Sequence, residues 1–218
     1  MSQTDPKVHL KRAAGLIDQV GNSIEDFRQR AIAYDASADN NQPLLAYMVS
    51  SATDARQLNK KKAALVGDLQ LADREIDAAE RTDAEAVIEW EGVVLGVQQL
   101  RALSLCASGQ LEMLWGKGGE AKAKLLRSVA ICEGPDAHFM LGLVFESEGQ
   151  PSSALEHFEK CLELDPDGEL SIPALRESNA MRNYSKRFRG SWPLLVILCL
   201  LPPIPFMWGL IYFFAKRK

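Results

Sequence analysis

Histidine, cysteine and paired carboxylates are the residues of this chain suited to metal binding or acid/base chemistry, and their spacing supports neither. The cysteines, Cys106, Cys132, Cys161 and Cys199, stand far apart, and no cluster with carboxylates or with His9, His138 and His157 has metal-ligand spacing. The three histidines are therefore read as packing or surface residues. Glu89 and Glu91, two positions apart on a helix, face different ways and make no acid/base pair. Gly116-Lys117-Gly118-Gly119 lacks the remaining frame of a phosphate-cradling loop, and no Gly-x-Ser-x-Gly elbow occurs. Asn183-Tyr184-Ser185 fits a glycosylation acceptor, a three-residue pattern of low specificity that would also need a lumenal domain. The expectation is a protein without catalytic, cofactor-binding or metal-binding residues, and not an enzyme.

Charge divides the chain more sharply than chemistry does. From Arg176 onward eight lysines and arginines face Glu177 alone, so the overall −4 splits into +7 there and −11 before it. An acidic body argues against nucleic acid as a partner, and a basic collar suits anionic lipid headgroups. Dispersed cysteines and the lack of a charged-then-apolar leader in the first residues imply a reducing, cytosol-facing domain.

The elements that carry these residues read as helices. Leu10, Ala13, Ile17, Val20, Ile24, Phe27, Ala31 and Tyr34 recur in steps of three and four. Gly21-Asn22-Ser23 leaves open one long helix or two in line, with Ser23 capping the second. Asp35 to Gln42 is a loop, and Pro43 sits where a first-turn proline opens a helix. That seam runs through Leu44, Met48, Ser51, Ala55, Leu58, Lys62, Leu65, Leu69, Ala72, Ile76 and Ala79, giving a helix of about 40 residues. Lys62 at an inward position marks either exposure or a stem laid along the partner helix. Thr82-Asp83 then offers a cap for a third helix through Val87, Trp90, Val94, Val97, Leu100, Leu103 and Ala107 to Trp115, with Gly92, Gly96 and Ala102 allowing close approach.

At Ala137 the pattern becomes specific. Leu141-Gly142, Phe145, Ala154, Phe158 and Pro166 lie at the spacings of a tetratricopeptide repeat, which this segment, Pro135 to Gly168, resembles. Gly142 and Ala154 are small where two antiparallel helices touch, Phe145 and Phe158 fill the wedge, and Gly149-Gln150-Pro151 forms the turn. Thirty-three positions earlier Gly109, Gly116, Ala121, Leu125 and Ile131 take the corresponding places, which reads as a degenerate copy with Ser108 and Glu112 departing from the signature. Leu170, Ala174, Leu175, Ala180, Met181 and Tyr184 would form the inner side of a capping helix. The resemblance implies that a protein or peptide binds in a groove lined by the first helix of each repeat, here Phe139, Met140, Leu143 and Glu146. Two repeats also leave open a groove filled by the chain's own N-terminal helices.

The tail is the other strong signal. Trp192 to Ala215 carries no charge over 24 residues, 13 of them Leu, Ile, Val or Phe. Each of those contributes roughly −0.3 to −0.6 kcal/mol toward insertion. Trp192, Trp208 and Tyr212 are candidate interface anchors, and Pro202, Pro203 and Pro205 remove donors from the carbonyls of Leu198, Cys199 and Leu201. A kinked span and a re-entrant hairpin both remain open. The expected class is all-α: a long-helix bundle over 1–101, repeats with a capping helix over 102–190, and one transmembrane helix with a basic tail over 191–218. The expected function is a single-pass, tail-anchored adaptor or scaffold that binds a protein partner, with homo-oligomerisation left open and a membrane-remodelling or pore-forming subunit as the alternative. The plan is similar to that of mitochondrial and peroxisomal fission adaptors, apart from the long N-terminal hairpin. A bacterial inner-membrane scaffold fits equally well.

Overall fold

A computed structural model describes residues 5–35, 52–168 and 170–182 of this chain, with side chains for 5–27, 56–168 and 170–182. Of the expected loop Asp35 to Gln42, Asp35 is instead the last residue of a helix; the rest of it, the Pro43 start, Tyr184 and the whole anchor, with Trp192, Pro202, Pro203, Pro205, Trp208 and Tyr212, lie outside the described residues. Among the described residues no helix is long and apolar enough to cross a membrane.

Helix α1, Pro6–Asp35, is one unbroken helix. The Asp5 carboxylate accepts a hydrogen bond from the Lys7 amide at 2.9 Å, an N-cap directly before a first-turn proline. Gly21-Asn22-Ser23 does not interrupt it, because the polar groups bond back along the helix: Ser23 Oγ donates to the Gln19 carbonyl at 2.9 Å. Leu10, Ala13, Ile17, Val20, Ile24 and Phe27 are all buried. They face helix α2, Ala52–Thr82, which buries Leu65, Leu69, Ala72, Ile76 and Ala79. His9 pairs with Glu75 toward one end and Lys61 lies over the Phe27 ring toward the other, so the two helices run antiparallel. Lys62 is not solvent-exposed but reaches past the helix pair: its side chain is 17 % exposed, its Nζ is 5.0 Å from the Trp115 ring centroid, and it donates to Glu112 at 2.9 Å.

The third stretch corrects the sequence reading. Thr82 Oγ1 closes α2 on the Ala78 carbonyl, and Asp83 accepts from the Glu85 amide in a local turn. The chain then makes a hairpin of β1, Val87–Trp90, and β2, Val93–Gly96. The strands pair antiparallel, with Ile88 opposite Leu95 and Trp90 opposite Val93. Glu91 (φ 51) and Gly92 (φ 83) form the two-residue turn, both left-handed as a I′ turn requires. Valine, isoleucine and tryptophan favour a pleated, half-buried strand, and their three-and-four spacing imitated a helical seam. Ile88 enters the core, and Gly92 and Gly96 serve as the turn and as the N-cap of α3 rather than as contact points within a helix.

From there helix pairs alternate: α3, Val97–Leu114; α4, Gly118–Ile131; α5, Pro135–Ser147; α6, Pro151–Leu164; and α7 over 171–182. The 33-residue correspondence holds in three dimensions. Gly116 and Gly149 turn the chain at φ 71 and φ 70. A Cβ on Gly109 would lie 2.7 Å from Leu125 Cγ, and one on Gly142 would collide with the Phe158 ring. Ala121, Leu125, Ala154 and Phe158 are fully buried. Two apolar cores meet on α3, which gives Leu100, Ala107 and Leu111 to the N-terminal one and Cys106 to the C-terminal one. On α7, Ala174, Ser178 and Met181 turn inward, so Leu175 at 51 % exposure and Ala180 stand on the outer side, contrary to expectation.

Candidate partner-binding cavity

The first helices of the successive pairs, α1, α3 and α5, border a cavity of about 270 Å³ that the β-hairpin walls on one side. Each element reaches it for a local reason. The Trp90 ring stands beside α1 at Gly15, where an added Cβ would make an ordinary contact 3.5 Å from the ring edge. The hairpin turn places Glu91 at the margin, and the same strand pair brings Leu95 inward. Ile17 from α1 and Leu100, Leu103 and Ala107 from α3 complete an apolar lining, with Leu103 still 37 % exposed. The charged groups of the lining are Asp18 on α1, Glu91 on the turn and Asp136 in the first turn of α5.

Cys106 also lines this space but is a poor nucleophile. Its thiol is pushed up to about 12, first by burial and then by the charge of Asp136, against a hydrogen bond from Gln110. A thiol held that high stays protonated at neutral pH. Cys161 is pushed up to about 11 by burial and by the same aspartate, then Asp165. No three His, Cys, Asp or Glu side chains converge to hold a metal ion among the described residues.

The residues expected to line a groove on α5 are placed differently. Phe139 and Met140 are 7 % and 4 % exposed, packed in the C-terminal core, with the Phe139 ring centroid 5.8 Å from that of Phe158. Leu143 is half-buried against the same core, and Glu146 borders a separate cavity of about 280 Å³ with Gly149, Pro151 and Met181. Burial, and after it the charge of Glu177, raise the Glu146 carboxyl above its ordinary value. Helix α5 is covered on most of its surface because its neighbours α3, α4, α6 and α7 surround it. Leu141, Gly142, Ala154 and Phe158 occupy the interior their signature roles require, and α6 ends at Leu164, just before Pro166.

Two polar arrangements inside the stack are structural. His138 and His157 meet with their Nδ1 atoms 3.0 Å apart, so one donates to the other. The His157 ring stacks on Phe145 at 5.1 Å between centroids, and Lys122 Nζ lies 4.1 Å from the Phe145 centroid. Burial holds both imidazoles below their ordinary value, with the neighbouring ring adding to the effect on His138. In the preceding pair, buried Glu112 accepts from Lys62 at 2.9 Å and from Lys124 at 3.1 Å. Burial works to raise the Glu112 carboxyl, but hydrogen bonds from the two lysines outweigh it and hold the group below its ordinary value. The Gly116 loop is an inter-helix turn whose Lys117 pairs with Glu120 at 2.9 Å.

Sequence reasoning missed Trp90, Asp18, Glu91, Leu103 and Asp136 as cavity residues. Glu91-Gly92 between two β-branched runs was the signal that could have revealed the hairpin.

Residues 135–167 match the family described as tetratricopeptide repeat, so the chain contains such a repeat within its stack of helix pairs. No curated protein matches the chain. A solved structure described as the crystal structure of MamA protein aligns with 89 % of this chain and 98 % of its own, at 17 % identity and a TM-score of 0.32. A superposition that loose says nothing about residue roles.

Proposed function

We propose that this chain is a non-enzymatic adaptor whose helical stack receives a segment of another protein while its C-terminal residues hold it at a membrane. Tetratricopeptide repeats support protein–protein interaction as the general role. The observation that carries the reading is the cavity of about 270 Å³ along α1, α3 and α5, apolar within and open at Leu103. Pockets for drug-sized ligands run to roughly 300–1,000 Å³, so this one suits one or two side chains of a polypeptide better than a cofactor. The uncharged run Trp192 to Ala215 behind a basic collar favours a membrane tether facing the cytosol, on the plan of the fission adaptors.

The test is affinity capture by the full chain in lipid nanodiscs, comparing Leu103→Glu with Leu126→Glu. Leu126, on α4, is 43 % exposed and does not line the cavity, so both substitutions add a charge at a partly exposed site. Loss of a partner with Leu103→Glu alone is expected; capture unaffected by both would remove the cavity from the account. Replacing Trp192 to Lys218 by an unrelated single-span anchor should leave partner capture intact. A membrane-remodelling tail would instead lose its effect in that exchange.

A further inference from the structure

Resting on the membrane tether of that reading, we infer that α7 is itself a lipid-contacting element, whose face carrying Ile172, Leu175 and Arg176 lies on the surface of an anionic bilayer. Ala174, Ser178 and Met181 are buried on the side toward the C-terminal core, while Ile172, Leu175, Arg176 and Asn179 are exposed on the far side. At 3.6 residues per turn these four fall within about 100° of arc, so they form one face. Ile172 is 78 % exposed, more than any other large apolar side chain among the described residues. The last helix of a repeat stack ordinarily turns a polar outer face to water. An isoleucine and a leucine side by side in that place call for a cover.

Reach and charge together make that cover the bilayer. Ten residues separate Arg182 from Trp192, and even fully extended they span at most about 35 Å. With the uncharged run entering the membrane from Trp192, the end of α7 is never farther from the surface than that, and a weak surface contact becomes an intramolecular one. Arg176 is a cation on this face, and the collar beyond it adds Lys186, Arg187 and Arg189 without an acid. The one acidic residue of α7, Glu177, faces elsewhere: it is half-buried, and its charge acts on the Glu146 carboxyl of α5. Arg182 donates twice to Glu159 of α6, at 3.1 and 2.6 Å, and with buried Met181 it holds α7 in the rotation that leaves Ile172 and Leu175 outward. Aliphatic side chains beside an arginine that reaches phosphate suit a helix lying in the plane of the headgroups.

The test places an environment-sensitive fluorescent amino acid at position 175, 94 or 208 of the full chain, reconstituted in phosphatidylcholine vesicles with or without phosphatidylglycerol. Nitroxides carried on the lipids report contact by quenching. Position 208, inside the uncharged run, checks the tether; position 94 is an exposed valine of the hairpin, which belongs to the N-terminal core. Headgroup nitroxides should quench position 175 at least about twofold more than position 94, and more strongly when phosphatidylglycerol is present. Ile172→Ser/Arg176→Glu should bring position 175 down to the level of position 94, whereas Arg176→Lys should preserve the quenching. Thermal melts should show both variants folded, since the substituted side chains are exposed. Quenching at 208 with none at 175 overturns the inference and leaves the tether standing. Quenching at neither overturns both. Equal quenching at 175 and 94 also overturns it, because the body then touches lipid without preference for α7. Emission at 175 that ignores the nitroxides but shifts with the protein-to-lipid ratio overturns the lipid contact and gives the face to a second copy of the chain.

Discussion

The two helix pairs α3–α4 and α5–α6 share a backbone plan and fill one position in opposite ways. Both turn on a left-handed glycine, both place a glycine against a large side chain of the second helix, and both bury an alanine at the crossing. At the wedge, α5–α6 carries Phe145 stacked on His157, whereas α3–α4 carries Glu112 bonded to Lys62 and Lys124. Lys124 and His157 are themselves 33 residues apart, so an ion triad stands where the later pair has an aromatic stack. Close contacts and turn glycines set the geometry of the pair; the wedge accepts any group whose polarity is satisfied. The triad also takes a ligand from α2, which fastens the N-terminal hairpin to the repeats, a connection an aromatic wedge would not provide.

The largest effect should come from breaking the triad. Glu112→Ala leaves two partly buried lysines without their partner and should cost about 3 kcal/mol in a denaturant titration. The double variant Glu112→Phe/Lys124→His copies the later pair and should recover a substantial part of that loss. Equal stability of the single and double variants would show the two wedges not to be interchangeable.

Next come the contact glycines. Gly142→Ala drives a methyl group into the buried Phe158 ring and should cost about 2 kcal/mol by overpacking. Gly109→Ala meets Leu125, whose branched side chain has more freedom to give way, so its cost should be smaller. A neutral Gly142→Ala would mean that the helices do not approach as closely as described. At the turns, Gly116→Ala and Gly149→Ala should each cost about 1 to 2 kcal/mol, because both glycines sit at the same left-handed φ. Unequal losses there would distinguish two turns that share one backbone conformation.

The smallest effect separates the pairs by pH. Both imidazoles of α5–α6 are held below 6.5, so the unfolded chain takes up protons first. Stability present above about pH 6.5 is therefore lost as the pH falls through the folded values. Glu112 is held below 4.5, so its contribution is present above that value and is lost at lower pH. Melting temperature measured from pH 7.5 to pH 5 should decline in the wild type and decline less in His157→Phe. Identical slopes would remove the histidine pair as the cause.

How far the sequence carried each region follows from the same physics. The pair α5–α6 was legible because Leu141, Gly142, Ala154, Phe158 and Pro166 are fixed by contacts and turns within 33 residues. The degenerate pair was legible from Gly109, Gly116, Ala121, Leu125 and Ile131, while the role of Glu112 depended on Lys62, far away in the chain. The hairpin was hidden because Val87, Trp90, Val94 and Val97 fit helical spacing and strand composition alike. The cavity was not legible at all: Asp18, Trp90, Leu103 and Asp136 belong to no motif and meet only through the packing of α1, the hairpin, α3 and α5.

Site-specific photocrosslinking most directly tests whether the cavity is where a partner docks. With benzoylphenylalanine at position 103 of the full chain in lipid nanodiscs, irradiation should yield a discrete adduct with a partner polypeptide, and position 126 should yield none. Adducts from 126 but not from 103, or from neither position while the partner is still captured, would contradict the account.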